Sequence, residues 1–278
     1  MSTNQQVIPK NMPSFEQDAI EEMYPYFCFH SMSPDTIYFP REGWEGLGNL
    51  KTPDVRTVEF ESGKSSEVWV FQKVEVCILS IRNSMNVIFK KENGQEVEIP
   101  IQGDFTTGQP VRSRSKFFVQ VWTGDGALNG ECGILTGRGK GFTTAMRGII
   151  NRFNNAVVKK MRREFPLQEF SLSHFKIPLY AAAKKTRITS TQKNESRGVF
   201  LPSLILKNTD PFSYLLSEKE MATVGVEWAS ARKWSMKQAG REQAVFQQYA
   251  LEIGYQQPVQ ELVLASPEPE PLAISSNI

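Results

Sequence analysis

The stretch from residue 137 to residue 163 contains the residues that are best suited to bind an anion. It opens with the sequence GRGKG at residues 137–141, and no acidic residue follows before Glu164. Backbone N–H groups at the start of a helix can bind anions, and the helix dipole favours negative charge there. We therefore predict phosphate binding here; the alternative is a basic helix face that is simply solvated. The predicted contacts are Gly137, Arg138, Gly139, Lys140 and Gly141, followed by Arg147 and Arg152.

The GRGKG sequence is not a nucleotide-binding P-loop. Gly139 and Lys140 supply the GK pair of that motif, but Gly141 follows where a magnesium-binding hydroxyl is required. Ile134 occupies the place of the first glycine. A nucleotide hydrolase is therefore disfavoured.

A second candidate site is the predicted strand VRSRSKFFVQVWTG, at residues 111–124. Side chains alternate between the two faces of a strand, so one face carries Val111, Phe117, Val119 and Val121. The other face carries Arg112, Arg114, Lys116, Phe118 and Trp122. Cations that follow phosphates, beside rings that stack on bases, are typical of single-strand binding. The alternative is that the two rings are buried against a helix.

A third basic patch includes Lys185 and Arg187, in a predicted strand and turn that also contain Lys184 and Lys193. Cations and the threonine hydroxyls around them both contact phosphates. Lysines on an exposed edge strand also prevent aggregation, so this patch is supporting evidence only.

Catalytic and metal-binding patterns are weak. Cys28 and His30 could share a strand face, but two ligands are too few for a structural zinc site. Asp125 and Glu131 lie in a glycine-rich turn and are best interpreted as turn formers. We predict a protein without catalytic activity, metal or cofactor, although a metal-dependent nuclease with scattered ligands stays an alternative.

The remaining segments predict the elements that position these residues. Asn93-Gly94 between two alternating runs predicts a β-hairpin. Further short strands are predicted before residue 137 and from 174 to 207, with a second hairpin around QKNESRG. The region from Asp210 to Tyr255 is predicted to be helical, with interruptions near Gly225 and Gly240. Apolar residues at helical spacing predict the buried face of a helix: Phe142, Met146, Ile149, Phe153, Val157 and Met161.

We predict an α+β protein with a mainly antiparallel β-sheet or a small OB-like barrel, a basic amphipathic helix and a helical C-terminal segment. Residues 1–22 form a flexible N-terminus, residues 23–255 a single domain, and residues 256–278 a disordered acidic tail. Within the domain, residues 23–136 are rich in strands, 137–165 form the loop and helix, and 170–255 add strands and helices.

Charge and cysteine content indicate how charge is distributed along the chain and which cellular compartment to expect. The formal net charge is only +2, but no lysine or arginine follows Arg241, so the chain has a basic middle and an acidic end. Three widely spaced cysteines argue against a disulfide framework. Without a secretory signal or a membrane-spanning run, we expect a cytoplasmic protein that does not engage a membrane.

The basic middle followed by the tail SPEPEPLAISSNI resembles the layout of single-stranded-DNA-binding proteins of bacteria and phages. That resemblance implies a tail that recruits a protein partner and competes with DNA for the basic groove. This tail ends in SSNI, where those proteins carry a compact acidic and aromatic ending. The segment YPYFCFHSMSPDTIYFPREGW is similar to the start of uncharacterised proteins from cyanobacteria and their plasmids. That resemblance gives no information about an activity.

These observations predict a nucleic-acid-binding protein whose favoured ligand is single-stranded DNA. The alternative is a structural or assembly protein of a phage or mobile element, in which the basic helix binds a protein. Self-association of the chain is a further expectation.

Overall fold

The computed structural model describes residues 24–29, 34–47, 53–59, 65–92, 95–101, 111–189 and 196–254. Its strands are β1 (Tyr26–Phe29), β2 (Ile37–Pro40), β3 (Val55–Glu59), β4 (Ser65–Phe71), β5 (Lys73–Glu92), β6 (Gln95–Ile101), β7 (Arg112–Thr123), β8 (Asn129–Arg138), β9 (Ile177–Ala181), β10 (Thr186–Thr189), β11 (Ser196–Val199) and β12 (Pro202–Leu204). Its helices are α1 (Arg41–Trp44), α2 (Lys140–Phe153), α3 (Lys159–Glu164) and α4 (Glu218–Glu252). A π-helical segment (Asn154–Val158) joins α2 to α3, and short 3₁₀ helices occupy Leu172–His174 and Pro211–Tyr214.

Ten of the strands form one large, mostly antiparallel sheet. Nine follow the order β12-β9-β5-β7-β8-β1-β2-β4-β3, and β6 pairs with β5. Strand β1 runs parallel to β8. The outermost strands, β12 and β3, do not pair with each other within the described residues, so the sheet is open. The predicted α+β class with an antiparallel sheet is confirmed, whereas the OB-like barrel is not.

Strand β7 lies inside the sheet and is buried on both faces. Phe117, Val119 and Val121 belong to a core shared with α2, the π segment and α3. Phe118 and Trp122 belong to a second core on the opposite face, which α4 covers. This confirms the alternation predicted for these residues and gives a three-layer arrangement, with the sheet between two helical layers.

The helix on the first face runs without a break through residues 140–164, and we call it the basic helix. The residues predicted to form its apolar face are all buried: Phe142, Met146, Ile149, Phe153, Val157 and Met161. The helix ends before Pro166, as predicted, because proline cannot continue the hydrogen-bonded ladder.

Both predicted hairpins are present. Glu92 lies opposite Gln95 in the β5–β6 pair, and Thr189 lies opposite Ser196 in the β10–β11 pair. The turn residues Asn93 and Gly94 lie outside the described residues, as do the predicted N-terminal segment (1–22) and acidic tail (256–278).

The predicted C-terminal helical region is confirmed, but the predicted interruptions near two glycines were wrong. Helix α4 is continuous over 35 residues. Gly225 and Gly240 lie inside it, where a Cβ atom would meet open space. A glycine in an exposed helix costs only about 1 kcal/mol relative to alanine, so burial of the opposite face of α4 outweighs it.

Helix α4 begins with a capping box that is tied to the sheet layer. The Glu220 carboxylate accepts hydrogen bonds from the Ser217 N–H at 2.9 Å and from Lys176 Nζ at 2.6 Å. Partial burial raises the pKa of Glu220, but the hydrogen bonds from Lys176 and Ser217 outweigh it and hold the pKa below its ordinary value.

Glu220→Gln should lower the free energy of unfolding by about 1 kcal/mol at neutral pH, because the cap and the ion pair are lost. The contribution of Glu220 is present above the unfolded-state pKa and disappears as pH falls through the lower folded-state pKa. Urea titrations from pH 7 to pH 3 should therefore show the two proteins converging in acid. Glu218→Gln, an exposed carboxylate in the same turn, should have a smaller effect. A constant difference across pH would contradict this role of Glu220.

Candidate polyanion-binding surface

The GRGKG sequence does not form the predicted glycine-rich loop. Gly137 and Arg138 are the last residues of β8, and Gly137 lies opposite Ser115 of β7. The Gly139 N–H donates to the Ser113 carbonyl at 2.6 Å, so it is not available to a phosphate. Gly141 lies in the first turn of α2. The prediction that these residues form a glycine-rich loop was therefore wrong, because strand β8 extends to the start of the helix. Phosphate binding by the Arg138 and Lys140 side chains stays a prediction.

The structure explains why two of these positions are occupied by glycine. A Cβ atom on Gly137 would lie 2.1 Å from the ring of Phe142, which packs directly on the strand. Gly139 has a φ of +88°, a conformation that favours glycine, and it turns the chain from β8 into α2. The glycines at these two positions allow a close connection between strand and helix.

The aromatic residues of β7 are buried beneath α4. Phe118 has no exposed surface, and its ring centroid lies 5.5 Å from that of Trp234 in α4. Trp122 is also buried, with Lys176 Nζ 4.7 Å from its ring centroid. The prediction that Phe118 and Trp122 stack on bases was wrong in this arrangement, and the alternative of burial against a helix is confirmed.

Two of the β7 cations are neutralised within the fold. Lys116 Nζ lies 3.8 Å from the Glu242 carboxylate, which also pairs with Arg82 at 2.6 Å. Arg114 lies 3.2 Å from the Glu98 carboxylate. Burial lowers the pKa of both Lys116 and Arg114, and the neighbouring glutamates oppose this effect. These cations serve to hold α4 and β6 rather than an external ligand.

The other predicted cations lie in separate regions of the structure. Arg138 is half-exposed and lies 3.8 Å from the Glu98 carboxylate. Arg112 is exposed at the start of β7. Arg187 is exposed on β10 of the separate two-stranded sheet, and Lys185 is exposed just before that strand. Lys185 Nζ lies 5.6 Å from the ring centroid of Phe200.

The exposed face of the basic helix keeps its charge. We define the basic surface as its exposed cations: Lys140, Arg147, Arg152, Lys159, Lys160, Arg162 and Arg163. Lys160 donates to the Thr209 carbonyl at 3.3 Å, and Arg162 donates to the Phe170 carbonyl at 2.8 Å. Both acceptors are neutral carbonyl groups. Across the part of the chain that the structure describes, Arg152, Lys159 and Arg163 have no ion-pair partner.

Phe212 is a residue that sequence reasoning missed. Its side chain is 47% exposed, and its ring centroid lies 5.4 Å from that of Phe165 at the end of the basic helix. The Asp210 carboxylate accepts from the Phe212 N–H at 3.0 Å and fixes this turn. The Asp210-Pro211 pair was a signal for such a turn, but not for an exposed ring beside the cations.

A cleft of about 610 Å³ lies next to the same helix end. Arg162, Phe170 and His174 are among its lining residues. Ser171 Oγ lies 2.9 Å from His174 Nδ1, but this contact belongs to the capping box of a 3₁₀ turn. The Ser171–His174 pair therefore has a local structural explanation.

The other groups considered for chemistry also have structural roles. Asp125 Oδ1 accepts from the Ala127 N–H at 3.0 Å, and Glu131 accepts from the Asn129 N–H, so both carboxylates stabilise the turn before β8. Among the described residues, no three His, Cys, Asp or Glu side chains are placed to hold a metal ion.

The three cysteines are free. Burial raises the pKa of Cys28 to about 11 and that of Cys77 to about 12, which leaves little reactive thiolate at neutral pH. His30, the residue considered with Cys28, lies outside the described residues.

No protein-family model matches the chain, and no similar curated protein or solved structure was found. No helix within the described ranges is long and apolar enough to cross a membrane.

Gly137→Ala should lower the free energy of unfolding by about 1–3 kcal/mol, because its Cβ would displace the Phe142 ring. Gly148→Ala is the control: Gly148 is exposed on the basic helix, has open space around it, and its substitution should stabilise by up to about 1 kcal/mol. Chemical denaturation of both variants measures the contrast. Equal effects at the two positions would show that Phe142 does not require a glycine beneath it.

Proposed function

We propose that this protein binds nucleic acid without catalysis, with single-stranded DNA as the favoured ligand, through the basic surface. The observation that carries the proposal is a group of exposed cations on one continuous helix, with no acidic residue before Glu164. The opposite face of that helix is buried against the sheet, so its charged side chains must face solvent.

Phosphate contacts would supply the affinity. Arginine guanidinium groups can bind phosphate oxygens in a bidentate manner, whereas lysines act as point charges. Neutralising phosphates releases condensed counterions, which makes the binding steeply dependent on salt. Such contacts follow the backbone and carry no sequence preference.

The half-exposed ring of Phe212 supports a preference for single strands. It lies beside Phe165, next to the part of the basic helix that carries Lys160 and Arg163. A base that stacks on this ring would keep its phosphate within reach of those cations. Bases are free to stack in this way in a single strand and not in an intact duplex.

Neutralising two cations of the basic surface should flatten the salt dependence of binding. Each phosphate contact on a single strand contributes about −0.7 to the slope of log K against log salt, so Arg152→Gln/Lys159→Gln should flatten it by about 1.4. Fluorescence anisotropy with labelled single-stranded and duplex oligonucleotides, at several salt concentrations, measures the slope.

The matched control is Arg56→Gln/Lys219→Gln, which removes the same charge from exposed positions on β3 and α4. Its slope should equal that of the unmodified protein. Equal slopes for both double variants would remove the basic surface as the binding site. Absence of binding at low salt would favour the competing hypothesis, in which this surface docks an acidic protein during assembly.

Phe212→Ala should weaken single-strand binding by about 1–3 kcal/mol, the range measured for loss of one stacked base. Duplex binding should change little, because paired bases do not reach the ring. Phe212→Leu keeps an apolar contact with Phe165 but removes the ring, so it should weaken single-strand binding similarly. Unchanged single-strand affinity in both variants would show that Phe212 does not stack on a base.

A further inference from the structure

The cleft beside the end of the basic helix has the size of a small-ligand site. Its volume of about 610 Å³ lies within the range of about 300–1,000 Å³ that is typical of such sites. The exposed face of a helix is convex, whereas a cleft is concave, so the two can bind different parts of one ligand. The polar side chains that line the cleft are Arg162, Gln168, Glu169, Ser171 and His174.

The hydrogen bonds of His174 indicate which ring nitrogen carries the proton in the neutral form. His174 Nδ1 accepts from the Ser171 N–H at 2.9 Å. A neutral imidazole has one donor and one acceptor, so its proton is on Nε2. Within the described residues, Nε2 has no hydrogen-bond partner. His174 therefore offers an N–H donor to a ligand in the cleft that it lines.

Arg162 supplies a positive charge in the same cleft. Its Nε donates to the Phe170 carbonyl at 2.8 Å, and its Nη2 donates to the same carbonyl. A guanidinium has five N–H groups, so those of Nη1 stay available to a ligand, as does one of Nη2. An arginine anchored in this way beside a histidine donor is suited to bind phosphate oxygens.

The cleft adjoins the surface that we propose to bind single strands. Arg162 belongs to both, and the Phe165 ring centroid lies 6.4 Å from that of Phe170 and 5.4 Å from that of Phe212. A strand whose phosphates follow the basic helix and whose base stacks on Phe212 would therefore reach the cleft at this end of the helix.

A phosphate at the end of a strand suits the cleft better than one within the strand. A phosphate monoester carries a charge of about −1.5 to −2 at pH 7 and three strong acceptor oxygens, so it can accept from Arg162 and His174 at once. A strand end has only to enter the cleft, whereas an internal phosphate would have to bring the chain in and out again. Glu169 is exposed at the cleft and opposes any anion, so the two donors must outweigh one carboxylate.

We propose that this cleft binds the terminal phosphate of a single-stranded nucleic acid through Arg162 and His174 Nε2. The inference rests on the proposed function, and it narrows the ligand to strands with a phosphorylated end. A 5′-phosphate and a 3′-phosphate share this chemistry, and the experiment distinguishes them.

Anisotropy titrations with oligonucleotides of one sequence test the proposal. The 5′-phosphorylated or the 3′-phosphorylated form should bind about tenfold tighter than the form with two hydroxyl ends, because a hydrogen bond to a charged group contributes about that factor. A hydroxyl-ended oligonucleotide that is two nucleotides longer controls for the added charge and should gain less. Equal affinity for phosphorylated and hydroxyl ends, or an equal gain from the two added nucleotides, would overturn the proposal.

Two substitutions of His174 separate its Nε2 donor from its role in the capping box. His174→Asn keeps an acceptor near the Nδ1 position but removes the Nε2 donor, so the preference for a phosphorylated end should be lost. His174→Gln places an amide N–H near the Nε2 position and should retain part of the preference. Lys159→Gln, an exposed position on the basic helix, should weaken both forms equally. An unchanged preference in His174→Asn would exclude His174 from the site.

NMR of the His174 ring distinguishes failure of this proposal from failure of the proposed function. The chain has two histidines, so a His30→Gln variant identifies the His174 signals. Titration with inorganic phosphate at constant pH should shift these signals, and chloride at equal ionic strength should not. Shifts without any oligonucleotide binding would overturn the proposed function and, with it, the strand as the ligand. Oligonucleotide binding without shifts would overturn the phosphate cleft alone.

Discussion

Strand β7 presents large apolar side chains on both faces of the sheet, and water must be excluded from both. Phe117 and Val119 require a cover on one side, and Phe118 and Trp122 require one on the other. A strand buried on both faces is typical of a sheet between two helical layers. The basic helix and α4 provide those layers, so this part of the sheet is covered on both faces and is not available to a ligand.

That constraint also explains where the charge lies. Cations on the covered faces of β5 and β7 need partners, because an unpaired buried charge is costly. Glu242 of α4 meets Arg82 and Lys116, and Glu98 of β6 meets Arg114. The basic helix lies over an apolar part of the sheet, so its cations point to solvent and are not buried within the fold.

Periodicity predicted much of this architecture from the sequence. The alternation in β7, the apolar face from Phe142 to Met161 and both hairpins depend on local patterns, and local patterns are visible in one sequence. The strand character of residues 129–138 was hidden by glycines that normally mark turns. Those at 133 and 137 are needed instead because Trp44 and Phe142 pack directly against the strand.

The candidate site was harder to predict because its composition depends on tertiary contacts. Arginine and phenylalanine alternating on one strand are compatible with a ligand or with a covering helix, and only the position of α4 distinguishes the two. Phe212 was missed because an isolated aromatic residue in a turn belongs to no recognisable sequence pattern. The cations of residues 140–163 were recognised correctly as an exposed group because no acidic residue lies among them.

The π-helical segment between α2 and α3 sets the angular phase of the whole basic helix. Met161 follows Phe142 by 19 residues, and a regular α-helix would rotate it about 100° away from Phe142 around the axis. Each residue of a π turn advances less around the axis, and the segment at residues 154–158 absorbs this drift. The apolar stripe therefore stays against the sheet on both sides of the segment. For the same reason, the cations at the two ends of the helix, Lys140 and Arg163, both stay on the side that faces solvent.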